Sequence, residues 1–272
     1  MTKRPSASEF QKLLQCAHDL ADSSGPTVLK HFRTPVAIDN KAGLGSFDPV
    51  TKADRAAERV ISKALKARFP EHGIVGEEYG TREGAGRYNW VIDPIDGTRA
   101  FIMGSPLWGT LIGLLEDGKP YLGIMDQPFT GERFWSGPAA SYMRIGNGAP
   151  KKIKTRACAS LADATLTSTH PDLFEGPKQQ KALTTLKGAV RMTRYGGDCY
   201  AYCLLAAGFV DLIIESGLKS YDIVALIPIV ERAGGCVTTW DGKPATSGGN
   251  IIASGDPRIH AAAMKLIAKS QT

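Results

Sequence analysis

The chain lacks any apolar run long enough to span a bilayer, so no membrane role is expected. It has only five cysteines, Cys16, Cys158, Cys199, Cys203 and Cys236, scattered and without a Cys-x-x-Cys pair. That excludes a zinc cage or dithiol centre and reads as buried thiols in a reducing cytoplasmic setting. HExxH, P-loop, GxGxxG and nucleophile-elbow patterns are all missing, and no Ser–His or Cys–His pair stands out. Metalloprotease, nucleotide-loop, dinucleotide and serine-hydrolase chemistry therefore have no foothold. Lys3 and Arg4 are followed by Glu9, Gln11, Lys12, Gln15, His18 and Asp19, too polar for a secretory signal. Internal repeats and low-complexity tracts are absent.

What remains is an ordinary globular composition. The 272 residues are 43% hydrophobic and 22% charged, enough for one large domain or two medium ones. A net charge of +6 suits an anionic ligand without establishing a nucleic-acid partner. The densest basic run, Lys151–Arg156, has no interleaved aromatics and reads as a solvated strand or linker, so nucleic acid is not expected as a partner.

Periodicity predicts a helix after a Ser6/Glu9 cap, with Gly25 and Pro26 ending or kinking it. Residues 38–50 read as a glycine-rich loop or hairpin, and a second helix starts near Thr51 and stops at Pro70. Residues 74–145 read as strands, with Asp117-Gly118 as a tight hairpin turn. Beyond residue 150, strands and helices alternate, with 221–233 read as helical despite Pro228. The expectation is an α/β protein: an α+β unit over 1–150 and an α/β unit over 151–272.

The run Trp90-Val91-Ile92-Asp93-Pro94-Ile95-Asp96-Gly97-Thr98 carries the chemistry. An apolar strand ends in two aspartates, and buried acids need cationic partners. Pro94 and Gly97 are expected to turn both acids toward one point, beside amides that could face an anion. Ile74-Val75-Gly76-Glu77-Glu78 is a second strand ending in acids, where Gly76 allows close backbone approach. Asp54 follows Thr51 as a capping acid, and Asp222 opens a helix after the strand 211–215; each has an adequate structural excuse alone. Converging carboxylates without His or Cys favour Mg²⁺ over zinc.

These residues resemble the inositol monophosphatase superfamily of Mg²⁺-dependent phosphatases. The matching pieces are Gly76-Glu77-Glu78, Asp93-Pro94-Ile95-Asp96-Gly97-Thr98 and Tyr221-Asp222-Ile223-Val224-Ala225, where Tyr221 stands in place of the usual tryptophan. The resemblance implies a layered α-β-α-β-α sandwich, usually a homodimer, with two to three Mg²⁺ per site. It implies one ion on Glu77, Asp93 and the Ile95 carbonyl, a second on Asp93, Asp96 and Asp222, and a weaker third near Asp54 and Glu77. Gly97 and Thr98 would cradle phosphate, while Glu77 and Thr98 orient the attacking water.

Within the superfamily, Asp96–Phe101, Pro106–Leu111 and Arg194-Tyr195-Gly196-Gly197-Asp198-Cys199-Tyr200 are most similar to the histidinol-phosphate phosphatase branch. Asp198 and Glu215 would then select a cationic alcohol, with Arg194 reaching phosphate or pairing with Asp198. The competing readings are an inositol or sugar monophosphatase, a 3′-nucleotide phosphatase, and a non-catalytic regulator that kept the fold and binds RNA through the basic run. His170 is left open between an ordinary histidine and a pocket-lining one.

Overall fold

A computed structural model describes residues 6–35, 38–40 and 49–271. Helix α1 (Ala7–Leu29) is capped by the Ser6 hydroxyl, which accepts the Glu9 amide at 3.1 Å. It runs through Pro26 rather than stopping there, because Gly25 and Val28 stay buried in the last turns and outweigh one lost backbone bond. Strands β1 (Ile38–Asn40) and β2 (Pro49–Thr51) pair antiparallel; the rest of the predicted loop or hairpin, residues 41–48, lies outside the described residues. Helix α2 (Lys52–Arg68) follows, then β3 (Gly73–Gly76), β4 (Gly80–Arg82), β5 (Tyr88–Asp96) and a short α3 (Thr98–Ile102). A meander completes the first sheet: β6 (Gly109–Glu116), β7 (Lys119–Gln127), β8 (Glu132–Ser136), β9 (Ser141–Ile145) and β10 (Lys151–Ile153). Asp117 and Gly118, both at positive φ, make the predicted turn between β6 and β7.

The remaining elements are β11 (Thr165–Ser168), α4 (Pro177–Ala189), β12 (Met192–Tyr195), α5 (Asp198–Ala206), β13 (Leu212–Leu218), α6 (Ser220–Ile223), α7 (Leu226–Arg232), β14 (Cys236–Thr239), β15 (Gly249–Ser254) and α8 (Pro257–Gln271). Besides the β1-β2 ribbon, the described residues form two larger sheets, ordered β10-β9-β8-β7-β6-β5-β3-β4 and β12-β11-β13-β15-β14. The first is antiparallel except for β3 beside β5; in the second, β12, β11 and β13 run parallel.

Alternation along the strands builds five layers. On β6, Ile112 and Leu114 meet α1 and α2 (Leu13, Leu20, Ile61, Leu65), while Leu111 faces the middle layer. On β13, Ile213 faces that same middle layer of α5 and α7, and Leu212 and Ile214 meet α4 and α8 outside. The order is therefore α-β-α-β-α.

The expected helix over 221–233 is broken between α6 and α7. Pro228 has no N–H for the Val224 carbonyl, yet it fits the first turn of a new helix. The break presses backbone onto the first sheet, where a Cβ on Gly123 would stand 1.8 Å from the Ala225 carbonyl oxygen. All five cysteines are free thiols, four of them buried. The basic run ends in Arg156, which is committed to Asp211, and begins on edge strand β10. His170 caps a short turn, accepting the Asp172 amide at 3.2 Å with its ring half exposed. Among the described residues, no helix is long and apolar enough to cross a membrane.

Candidate metal centre and substrate pocket

Asp93 and Asp96 are spaced wrongly for a regular strand, where residues three apart point to opposite faces. A bulge resolves this. Asp93 stands opposite Leu111 and Asp96 opposite Gly109, so three steps on β5 match two on β6. Pro94 has no ladder hydrogen to forfeit, and its carbonyl accepts the Thr110 hydroxyl at 2.8 Å. The strand thus continues through Pro94, and the bulge does what a turn was expected to do. Asp93 Oδ1 accepts the Ile95 amide at 3.0 Å, and the Thr98 hydroxyl donates to the Ile95 carbonyl at 3.1 Å. Gly97 and Thr98 open α3 directly beside these acids.

Glu77 arrives through the parallel pairing of β3 with β5, its amide donating to the Ile92 carbonyl at 3.2 Å. Its carboxylate meets that of Asp93. Glu58 on α2, which the sequence reading did not single out, secures the turn. Only 1% exposed, it accepts the Glu78 amide at 2.8 Å and the Tyr79 amide at 3.1 Å. A Cβ on Gly76 would stand 1.9 Å from Glu58 Oε1. The close approach at Gly76 therefore admits Glu58 rather than a ligand. The available signal was an acid in phase with the buried positions Ala57, Ile61 and Leu65. Glu58→Ala is expected to lose roughly 2–4 kcal/mol by stranding two amide donors. Urea unfolding checks this, and a loss below about 0.5 kcal/mol would remove Glu58 from the supporting role.

Asp54 splits its carboxylate between two tasks. Oδ2 accepts the Thr51 amide at 2.9 Å and the Thr51 hydroxyl at 2.6 Å, while Oδ1 is buried without a partner. Burial, with the Glu77 charge beside it, pushes Asp54 up to about 6. Asp222 comes from the second sheet. A bulge in β13 at Ser216–Gly217 is tied to Asn250 Oδ1 at 3.0 and 3.2 Å, and α6 then begins. Asp222 Oδ2 accepts the Lys219 amide at 2.6 Å. One oxygen each from Asp93, Asp96 and Asp222 lie within 4.8 Å of one another. Burial first, and neighbouring carboxylates second, push Asp93 and Asp96 well above the carboxylate range. An all-oxygen cluster of mutually repelling acids, with an orphaned Asp54 oxygen near it, fits a hard divalent cation.

Beside this cluster is a cavity of about 160 Å³ lined by Asp96, Thr169, Asp198, Tyr202, Glu215 and Asp222. Helix α5 is joined to the metal cluster by the Cys199 amide, which donates to Asp96 Oδ1 at 2.8 Å. Asp198 sits at φ 42°, a strained position that aspartate tolerates better than most residues. Burial pushes it up to about 6 against the Thr169 hydroxyl and the Arg99 charge. Glu215 is fully buried and pushed up to about 8, although Thr169 donates to it from its amide at 2.8 Å and its hydroxyl at 3.0 Å. The expected negative charge on Glu215 is thus largely quenched by a proton at neutral pH until a cation enters. Tyr202, also missed in the sequence, is 2% exposed with a hydroxyl that has no partner. Arg194 is not brought to Asp198. It lies exposed on edge strand β12, and no ion pair links the two.

The inositol monophosphatase family model matches residues 9–272. The bifunctional phosphatase IMPL2 (chloroplastic) of Arabidopsis thaliana is 44% identical over 96% of this chain and 76% of its own length. The histidinol-phosphatase of Mycobacterium tuberculosis is 34% identical over 80% of this chain and 83% of its own. A solved inositol monophosphatase from Zymomonas mobilis superposes with a TM-score of 0.84 at 41% identity, covering 95% of this chain and 98% of that one. With the layered fold, the bulged aspartate pair and the acidic cluster already in view, the chain belongs to the inositol monophosphatase family and is a phosphatase of that kind.

Proposed function

We propose that the chain is a Mg²⁺-dependent phosphomonoesterase that hydrolyses L-histidinol phosphate to L-histidinol and phosphate, a step of histidine biosynthesis. The observation that carries this reading is the acid-lined cavity holding Asp198 and Glu215 beside the metal cluster. An ammonium and an imidazole gain charge-assisted hydrogen bonds from such walls, whereas a neutral polyol gains much less. The histidinol-phosphatases among the relatives support the same choice.

In this reading, residues 1–150 supply Glu77, Asp93, the Ile95 carbonyl and Asp96, and residues 151–272 supply Asp222 and the substrate-selecting Asp198 and Glu215. Glu77, Asp93 and Ile95 would hold one ion, Asp93, Asp96 and Asp222 a second, and the free Asp54 oxygen a weaker third with Glu77. When bound, Mg²⁺ would neutralise phosphate charge and acidify water. Glu77 and Thr98 orient the water that attacks phosphorus in line. Gly97 and Thr98 receive phosphate oxygens as the bond from water to phosphorus forms and the ester P–O bond breaks; a proton from that water ends on the leaving oxygen, and Asp198 and Glu215 anchor the departing amino alcohol. Family kinship supports a homodimer.

The deciding experiment is side-by-side Mg²⁺-dependent turnover of histidinol phosphate and inositol 1-phosphate. At least about tenfold higher kcat/KM for histidinol phosphate is expected; the reverse preference would establish the second reading. That reading, an inositol or sugar monophosphatase, is favoured by the Zymomonas mobilis inositol monophosphatase at 41% identity.

The raised acids also set a pH dependence for the metal-free protein. An acid raised on folding contributes stability below its unfolded value that is lost as pH climbs through its folded value. For Asp54 and Asp198 that window runs from 3.8 to about 6, and for Glu215 from 4.5 to about 8. Thermal melts in EDTA should therefore fall from pH 5 to pH 8.5, and added Mg²⁺ should reverse the fall. A metal-free melting temperature that rises over this range would contradict the acid cluster's role.

A further inference from the structure

The exposed flank of α2 carries Arg59, Lys63 and Lys66, and β4 brings Arg82 opposite them. With Ile74 and Tyr79 they line an open cavity of about 470 Å³, within the range of small-molecule sites. Arg59, Lys63 and Lys66 are spaced four and three apart, so they share one helix flank and repel one another. The acid in the wall is Glu58, whose two oxygens are bonded to the Glu78 and Tyr79 amides. None of the four cations makes an ion pair with a described residue.

The two guanidiniums are already oriented. Arg59 donates to the Tyr79 hydroxyl at 2.9 Å, and Arg82 donates to the Pro70 and His72 carbonyls. Such forks suit phosphate or carboxylate groups, and the two lysines add point charges. Tyr79, 52% exposed, and Ile74 offer an apolar floor for a carbon skeleton.

We propose that this cavity binds a small organic anion bearing two or more negative charges, at a site separate from the acidic centre. The proposal does not depend on which phosphomonoester the enzyme hydrolyses. The Glu58 carboxylate lies between the cavity and the turn that carries Glu77, so an occupant held by Arg59 and the lysines steadies the segment from Gly76 to Arg82.

The test uses the full chain, stripped of metal on a chelating resin and kept in buffer free of soluble polyanions, with inorganic pyrophosphate as the probe, followed by titration calorimetry. Without metal the acidic centre repels this anion, and the basic cavity does not. One saturable site per chain is expected, weakened by salt and about tenfold weaker in the Lys63→Gln/Lys66→Gln double variant. Both lysines are exposed and outside the catalytic machinery, so Mg²⁺-dependent turnover should be unchanged. Hydrogen exchange at the Glu78 and Tyr79 amides should slow on adding pyrophosphate to the parent protein and not to the variant. Absence of saturable binding, equal affinity in both proteins, or protection confined to other segments would each overturn the site.

Discussion

Asp93→Asn is expected to fold as the parent does and to lose Mg²⁺-dependent phosphatase activity on the order of 10³-fold, as when a group stabilising transition-state charge is removed. Asp93 is 2% exposed and stands among Glu77, Asp96 and Asp222. Its Oδ1 is bound to the Ile95 amide, and an asparagine oxygen can keep that bond. The amide nitrogen cannot serve as a ligand where the second carboxylate oxygen stood. Without metal the variant should melt at or above the parent temperature, because a neutral amide replaces an acid that burial and its neighbours disfavour in the ionised form. With Mg²⁺ at 100 times its dissociation constant the parent should gain about 2.7 kcal/mol, and the variant much less. Paired melts and assays check both halves. A folded Asp93→Asn protein with normal turnover would falsify the shared-ligand assignment.

The second large effect concerns Asp198. Asp198→Asn should raise KM for histidinol phosphate about 10- to 100-fold, the worth of a charge-assisted hydrogen bond, with kcat changed much less. Inositol 1-phosphate, lacking a cation, should change less than about threefold by the same reasoning. Asparagine is preferred to alanine here because it tolerates the φ of 42° and can still meet Thr169. Initial-rate kinetics on both substrates decide the matter, and parallel losses on the two would take Asp198 out of substrate selection. The outcome is independent of Asp93, since Asp198 belongs to the cavity wall formed by α5.

The distribution of legible and illegible features follows the range of the forces involved. Local devices were readable: the Thr51/Asp54 capping box and the Asp117-Gly118 turn depend on residues within one turn of each other. The two prolines came out differently: Pro26 does not end α1, one of the two outcomes expected of it, while Pro228 breaks the helix expected over 221–233. At Pro26, burial of the last turns of α1 carried the helix past the proline. At Pro228, a missing amide split a helix that looked continuous. The β5 bulge was invisible because it depends on what stands opposite on β6, yet it alone puts Asp93 and Asp96 on one side. Glu58 was overlooked because its partners, the Glu78 and Tyr79 amides, are 20 and 21 residues away. Tyr202 was not singled out in the sequence, and only the fold shows its hydroxyl left without a partner beside the acids.

By itself the sequence determined the chemical inventory: hard oxygen donors, no nucleophile pair, and an acid-rich set suited to a divalent cation and a phosphate. Residue type and short spacing suffice for that, because ligand hardness and capping are properties of one side chain or one turn. Only the tertiary structure decided which of those acids meet, which of their oxygens are already spent on backbone amides, and which charges are quenched by burial. Those outcomes depend on sheet register and desolvation, which arise only when segments distant along the chain are packed together.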